Sequence, residues 1–111
     1  MPKFDTGLSD AERERLAILV EEAGEVIQIA MKILRHGYFS FHPDNPYEDN
    51  RALLENELGH LDCAICRLVD EGDVDDEAII DSSMEKEQTI HKYLHFQDEV
   101  KNDTKTDSMV D

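Results

Sequence analysis

A chain of 111 residues with 27 acidic and 11 basic side chains carries a formal net charge of −16, which excludes a broad basic surface for nucleic acid, because phosphate contacts need lysine and arginine. Hydrophobic residues make up 40%, enough for a folded core, and the size fits one domain. No apolar run approaches the roughly 20 residues of a membrane helix, and no signal-peptide pattern opens the chain, so the expectation is a cytoplasmic protein.

In chain order, residues 1–8 read as a short leader. "SDAE" then places Ser9 and Glu12 in capping-box spacing, which predicts a helix from about Ser9 to His36. Lys32, Arg35 and His36 occupy its last turns, where the helix dipole favours cations, and Gly37 stops it. "GYFSFHPDNPYED" (37–49) holds Gly, Pro and turn formers and reads as a loop. Asp49 or Asn50 can cap a second helix from Arg51 to Glu71, stopped by Gly72. A third helix follows "DVDD" and runs to about Phe96. Residues 98–111 are nearly devoid of apolar side chains and read as an acidic disordered tail behind a single domain of 1–97. The expected class is all-α, with three main helices.

Two apolar strips run along helix 1. The main one is Leu16, Leu19, Val20, Ala23, Ile27, Ala30 and Leu34, with Met31 read as core. The second is Ile18, Val26, Ile29 and Ile33, on the side that carries Glu22 and Glu25. A helix apolar on two sides is covered on two sides, so the bundle is expected to be completed by homo-oligomerisation, as a dimer or tetramer. On helix 2 the stripe is Leu54, Leu58, Leu61, Ile65 and Leu68.

Carboxylates among aliphatic side chains need a cation or a donor. Glu22 and Glu25 are three residues apart, as are Glu57 and His60. Residues at i and i+3 share a helix face, so each pair can hold one ion. Two such helices facing each other would form a cage of three carboxylates and an imidazole. Oxygen-rich ligands suit Mg²⁺ or Mn²⁺, which also bind phosphate substrates. The plainer alternative is ion pairing with Lys32, Arg35 or a basic group across an oligomer interface.

"LVEEAGEVIQIAMKILRHG" followed by "NRALLENELGHLDCAI" resembles the MazG-like all-α nucleoside triphosphate pyrophosphohydrolases, whose signature is ExxE on one helix and ExxD on the next. The likeness runs from about Leu16 to Phe96, including "KYLHF", which is similar to the closing segment of short phage-type members. Glu22 and Glu25 match ExxE, and Glu57 matches the first residue of ExxD. The Asp of that motif falls on His60, a departure. His60 as ligand would tilt the site toward Mn²⁺; Asp62, the other substitute, lies about 140° from Glu57 around the helix. The resemblance implies cleavage of a (deoxy)nucleoside triphosphate between the α- and β-phosphates, with purine substrates such as dGTP or dATP favoured. Glu22, Glu25 and Glu57 would then be catalytic as well as metal-binding. Lys32 is the first candidate for a phosphate contact, followed by Lys86 and Lys92 with Tyr93 on helix 3. Asn50 and Arg51 match an "NR" pair that contacts sugar or base, or else simply open helix 2.

Cys63 and Cys66 have CxxC spacing, but one pair falls short of a zinc site and this one lies mid-helix, so packing is the expected role. The loop aromatics Tyr38, Phe39, Phe41 and Tyr47 either stack on a base or fasten the loop to the bundle. Two other classes of function stay open. One is an acidic interaction protein that mimics DNA, which the high charge favours and the acids inside an apolar strip oppose. The other is a nucleotide or metal sensor whose site is degenerate at His60.

Overall fold

The computed structural model describes residues 5–97, and all regular structure in them is helical. The order is α1 (Asp10–His36), α2 (Asn50–Asp70), α3 (Asp76–Thr89) and a 3₁₀ turn, η1 (Ile90–Tyr93). The tail expected at 98–111 lies outside the described residues. The chain divides into two compact units between Val74 and Asp75.

The first unit is an antiparallel hairpin of α1 and α2. Its first helix begins at a capping box: the Ser9 hydroxyl accepts the Glu12 N–H at 3.1 Å, and the Glu12 carboxylate accepts the Ser9 N–H at 2.8 Å. Gly37 ends the helix with φ 88°, a conformation costly for any residue with a Cβ. Its N–H donates to the Ile33 carbonyl at 2.7 Å.

The connection folds back on the start of α2. Asn50 and Arg51 donate their N–H groups to the carbonyls of Ser40 and Tyr38, each at 2.8 Å, and Phe41 forms a single β-bridge with Asp49. The cap of α2 is Asp49, whose carboxylate accepts the Ala52 N–H at 2.9 Å. Asn50 is only 3% exposed, and its side-chain amide donates to the Gly37 carbonyl at 3.1 Å. At the open end of the hairpin Arg15 grips Asp73 through two hydrogen bonds, 2.6 Å from Nε and 2.9 Å from Nη2.

The helices meet along seams with four–three spacing. Arg15, Leu19, Glu22, Val26, Ile29 and Ile33 are half-buried on α1. The α2 seam runs through Asn50, Leu54, Glu57, Leu61, Ala64 and Leu68, of which Asn50, Ala64 and Leu68 are buried. Such a seam is the coiled-coil solution to packing two long helices. It corrects two expectations. On α1 Val26, Ile29 and Ile33 of the strip beside Glu22 and Glu25 pack on α2, with Ile18 left exposed, while Val20, Ile27 and Leu34 of the other strip are 70%, 64% and 79% exposed, and Met31 is exposed too. On α2 the helix is turned so that Glu57 and the small Ala64 face α1, which leaves Leu58 exposed. Ala64 lets the backbones approach, and Leu68 fills the space beyond it.

In the second unit Asp75 caps α3 by accepting the Ala78 N–H at 3.2 Å. The helix stops at Thr89, short of the expected Phe96. There the Thr89 hydroxyl donates back to the carbonyls of Lys86 and Glu85, at 3.3 and 3.4 Å. The chain tightens into η1, and its Leu94 cap is extended. Such local side-chain bonds compete with helix propagation.

Candidate metal centre

Glu22 and Glu25 on α1, and Glu57 and His60 on α2, come together at mid-seam, where each offers one ligand atom within 4.8 Å of all the others. The i, i+3 spacing aims both members of each pair at the opposite helix, and the seam register sets the two pairs face to face. The side chains of Glu22 and Glu57 are 18% and 16% exposed, and that of His60 is 50% exposed. The cluster is thus closed on the carboxylate side and open at the imidazole.

Its electrostatics are those of a crowded anionic cluster. Glu22 Oε2 and Glu57 Oε2 are out of contact with solvent and accept no hydrogen bond. His60 Nδ1 stands 3.5 Å from each of these two oxygens, outside hydrogen-bonding geometry. The Glu57 carboxyl is held above the usual glutamate range, first by its side-chain contact with the Glu25 carboxylate. Partial burial and the charges of Glu25 and Glu22 add to the rise, and His60 opposes it. Three carboxylates around one neutral or singly charged imidazole repel one another. A divalent ion would satisfy the orphaned oxygens and reverse that repulsion. Hard oxygen donors with one imidazole fit Mg²⁺ or Mn²⁺. Asp62 is exposed and lies outside the cluster, so the residue that joins the three glutamates is His60.

Two cavities of about 290 Å³ flank the cluster along the hairpin. One shares Glu22 and His60 with it and is completed by Ile18, Cys63, Ala64 and Arg67. No motif in the sequence marks Arg67, although it follows His60 by seven residues and therefore shares its face. The other cavity lies under the connection, with Lys32, Arg35 and His36 on the α1 side. Lys32 stands seven residues beyond Glu25, about 10 Å along the helix.

The remaining candidates are dispersed. Asn50 borders the second cavity, but its amide N–H₂ is engaged by Gly37. Arg51 is exposed and lies 3.7 Å from Glu55, its i+4 neighbour. In the second unit the Lys86 ammonium sits over the Tyr93 ring, 5.4 Å from its centroid, and Lys92 is exposed. Cys63 and Cys66 are free thiols. Among the described residues no helix is long and apolar enough to cross a membrane.

Comparison of the chain with known protein families, with curated proteins and with solved structures returns no match.

Proposed function

We propose that this protein is a metal-dependent (deoxy)nucleoside triphosphate pyrophosphohydrolase of the MazG-like kind, converting its substrate and water to a nucleoside monophosphate and pyrophosphate. The observation that carries the reading is the cluster of Glu22, Glu25, Glu57 and His60 within 4.8 Å, with two buried carboxylate oxygens lacking any donor. Acids that served only solubility would face water, as would the phosphate-like array of a DNA mimic.

In this reading Glu22, Glu25 and Glu57 supply hard oxygen ligands and His60 a fourth, solvent-side donor. A bound Mg²⁺ or Mn²⁺ supplies neutralisation of the triphosphate and Lewis acidity toward the attacking water. The water oxygen bonds to the α-phosphorus, and the bond from that phosphorus to the bridging oxygen breaks. Pyrophosphate leaves, and a cluster carboxylate receives the water's proton. Lys32, on the same face of α1 as Glu25, offers an ammonium to the phosphates as a point charge.

The exposed outer strip through Val20, Ile27 and Leu34 supports a homo-oligomer, because a contiguous apolar strip of this kind marks an interaction surface. The test of function is turnover. All eight common NTPs and dNTPs are incubated with Mg²⁺ or Mn²⁺, and monophosphate is resolved from diphosphate. Monophosphate plus pyrophosphate from wild type, lost in Glu25→Gln, is the expected result. No product with either metal at high enzyme concentration would overturn it. If metal still binds in that case, the sensor reading takes its place, with His60 as the altered position.

A further inference from the structure

We infer that Arg67 holds the leaving pyrophosphate, as the contact for the β- and γ-phosphates in the cavity that opens from Glu22 and His60. The inference rests on the nucleotide hydrolase reading and assigns a substrate-binding residue that no motif marks.

The cavity starts at the cluster itself, since Glu22 and His60 both line it. Its other walls are Ile18, Cys63 and Ala64, and its remaining charged residue is Arg67. Arg67 has two acids at helix-pairing distance in sequence, Asp70 at i+3 and Glu71 at i+4. It bridges to neither, and it forms no other ion pair or side-chain hydrogen bond among the described residues. The side chain lines the cavity instead. Long side chains on a helix run back toward its N-terminus, which takes the guanidinium from its own turn toward Cys63 and His60. Seven residues separate Arg67 from His60, about 10 Å of helix, and this tilt shortens the gap that a ligand has to bridge.

An anion that reaches a cluster-bound ion through its own oxygens can extend into this cavity and end on Arg67. A chain of phosphates is such an anion, and the guanidinium fork engages two phosphate oxygens at once. The walls decide which part of the nucleotide enters. Ile18, Cys63 and Ala64 offer neither an aromatic face to stack on a base nor an amide to read its edge. The cavity therefore suits phosphates and not the nucleoside. When the bond from the α-phosphorus to the bridging oxygen breaks, its electron pair stays on that oxygen and the pyrophosphate gains negative charge. A donor already aimed at that charge favours the step. Lys32 borders the other cavity, which leaves this one to Arg67.

Pyrophosphate itself is the probe. The full chain is titrated calorimetrically with pyrophosphate in Mg²⁺, beside Arg67→Ala, Arg67→Lys and a control, Arg13→Ala, whose exposed guanidinium donates to Thr6 at 3.0 Å. Arg67 is exposed, so its truncation leaves the seam packed, and circular dichroism checks each fold. Wild type and Arg13→Ala should bind alike. Arg67→Ala should bind about tenfold or more weakly, the loss of one charge-assisted contact. Arg67→Lys should recover only part, because an ammonium is a point charge. The rise in melting temperature with Mg²⁺ alone should match wild type in Arg67→Ala, since Arg67 stands outside the cluster. Affinity for the four deoxynucleoside monophosphates should be kept, while kcat for the triphosphate falls. No pyrophosphate binding by wild type, equal binding by Arg67→Ala, or an equal loss for the monophosphates overturns the assignment. The two proposals fail separately. Wild-type turnover and pyrophosphate affinity in Arg67→Ala would sink the contact and leave the hydrolase. Arg67-dependent pyrophosphate binding without turnover of any triphosphate would sink the hydrolase and leave the contact.

Discussion

Removing one carboxylate from the cluster should change stability with opposite signs in the presence and absence of metal. Without metal, Glu25 sits against Glu57 and drives its pKa upward, so Glu25→Gln relieves a repulsion and should raise the melting temperature. With metal, the same substitution removes one of four ligand positions. At a Mn²⁺ concentration 100 times its Kd, binding to the folded state adds roughly 2.7 kcal/mol. For a folding unit of this size each kcal/mol moves the midpoint by roughly 4–8 °C, so wild type should gain roughly 10–20 °C. A tenfold weaker site at that same concentration retains about 1.4 kcal/mol, half the shift or less. The assay is thermal unfolding followed by circular dichroism across a Mn²⁺ series, with Glu21→Gln as control, since Glu21 is exposed on the same helix and outside the cluster. Equal Mn²⁺ shifts in wild type and Glu25→Gln would refute the metal centre. A drop in the metal-free midpoint of Glu25→Gln would refute the account of the repulsion.

Two further outcomes follow from the hairpin itself. Arg15 holds the Asp73 carboxyl below its ordinary value of 3.8, mainly through their hydrogen bonds. A depressed carboxyl pKa contributes stability that is complete above the unfolded value and is lost as pH falls through the folded one. Asp73→Asn should therefore melt below wild type at neutral pH, and the gap should close as pH drops below 3.8; a gap that persists there would contradict the linkage. Asn50→Ala removes the donor to the Gly37 carbonyl at a buried position. Gly37 is exposed, so its carbonyl can turn to water and the loss is that of one net hydrogen bond, about 0.5–1.5 kcal/mol, measurable by urea unfolding; an unchanged midpoint would show that the connection holds without this clamp.

Much of the local structure was legible because its causes are local. The capping box at Ser9 and Glu12, the glycine stop at Gly37 and the carboxylate of Asp49 act over three or four residues, so they can be read directly from neighbouring letters. The end of α3 was not legible. Helical propensity continues past Thr89, and only its hydroxyl turning back on the Glu85 and Lys86 carbonyls marks the break. On α2 the leucine stripe holds except at one position: Leu54, Leu61 and Leu68 lie in the seam, while Leu58 is exposed because the helix is turned far enough to bring in Glu57 and Ala64. Close approach of two backbones favours the small side chain. On α1 the outward face of Val20, Ile27 and Leu34 is the part that apolar content alone does not assign.

Three helices, the start of the first, and the shared faces of Glu22 with Glu25 and Glu57 with His60 follow from local signals, because α-helical periodicity comes from backbone geometry alone. That the two pairs meet is a matter of packing between the helices. Their meeting depends on the seam register, which is set by Asn50 closing the connection at one end, Arg15 gripping Asp73 at the other, and Ala64 admitting α1 between them. The same packing brought Arg67 of α2 and Glu22 of α1 to one cavity. No spacing rule links those two residues, since their proximity comes from the pairing of the helices and not from the repeat of either one.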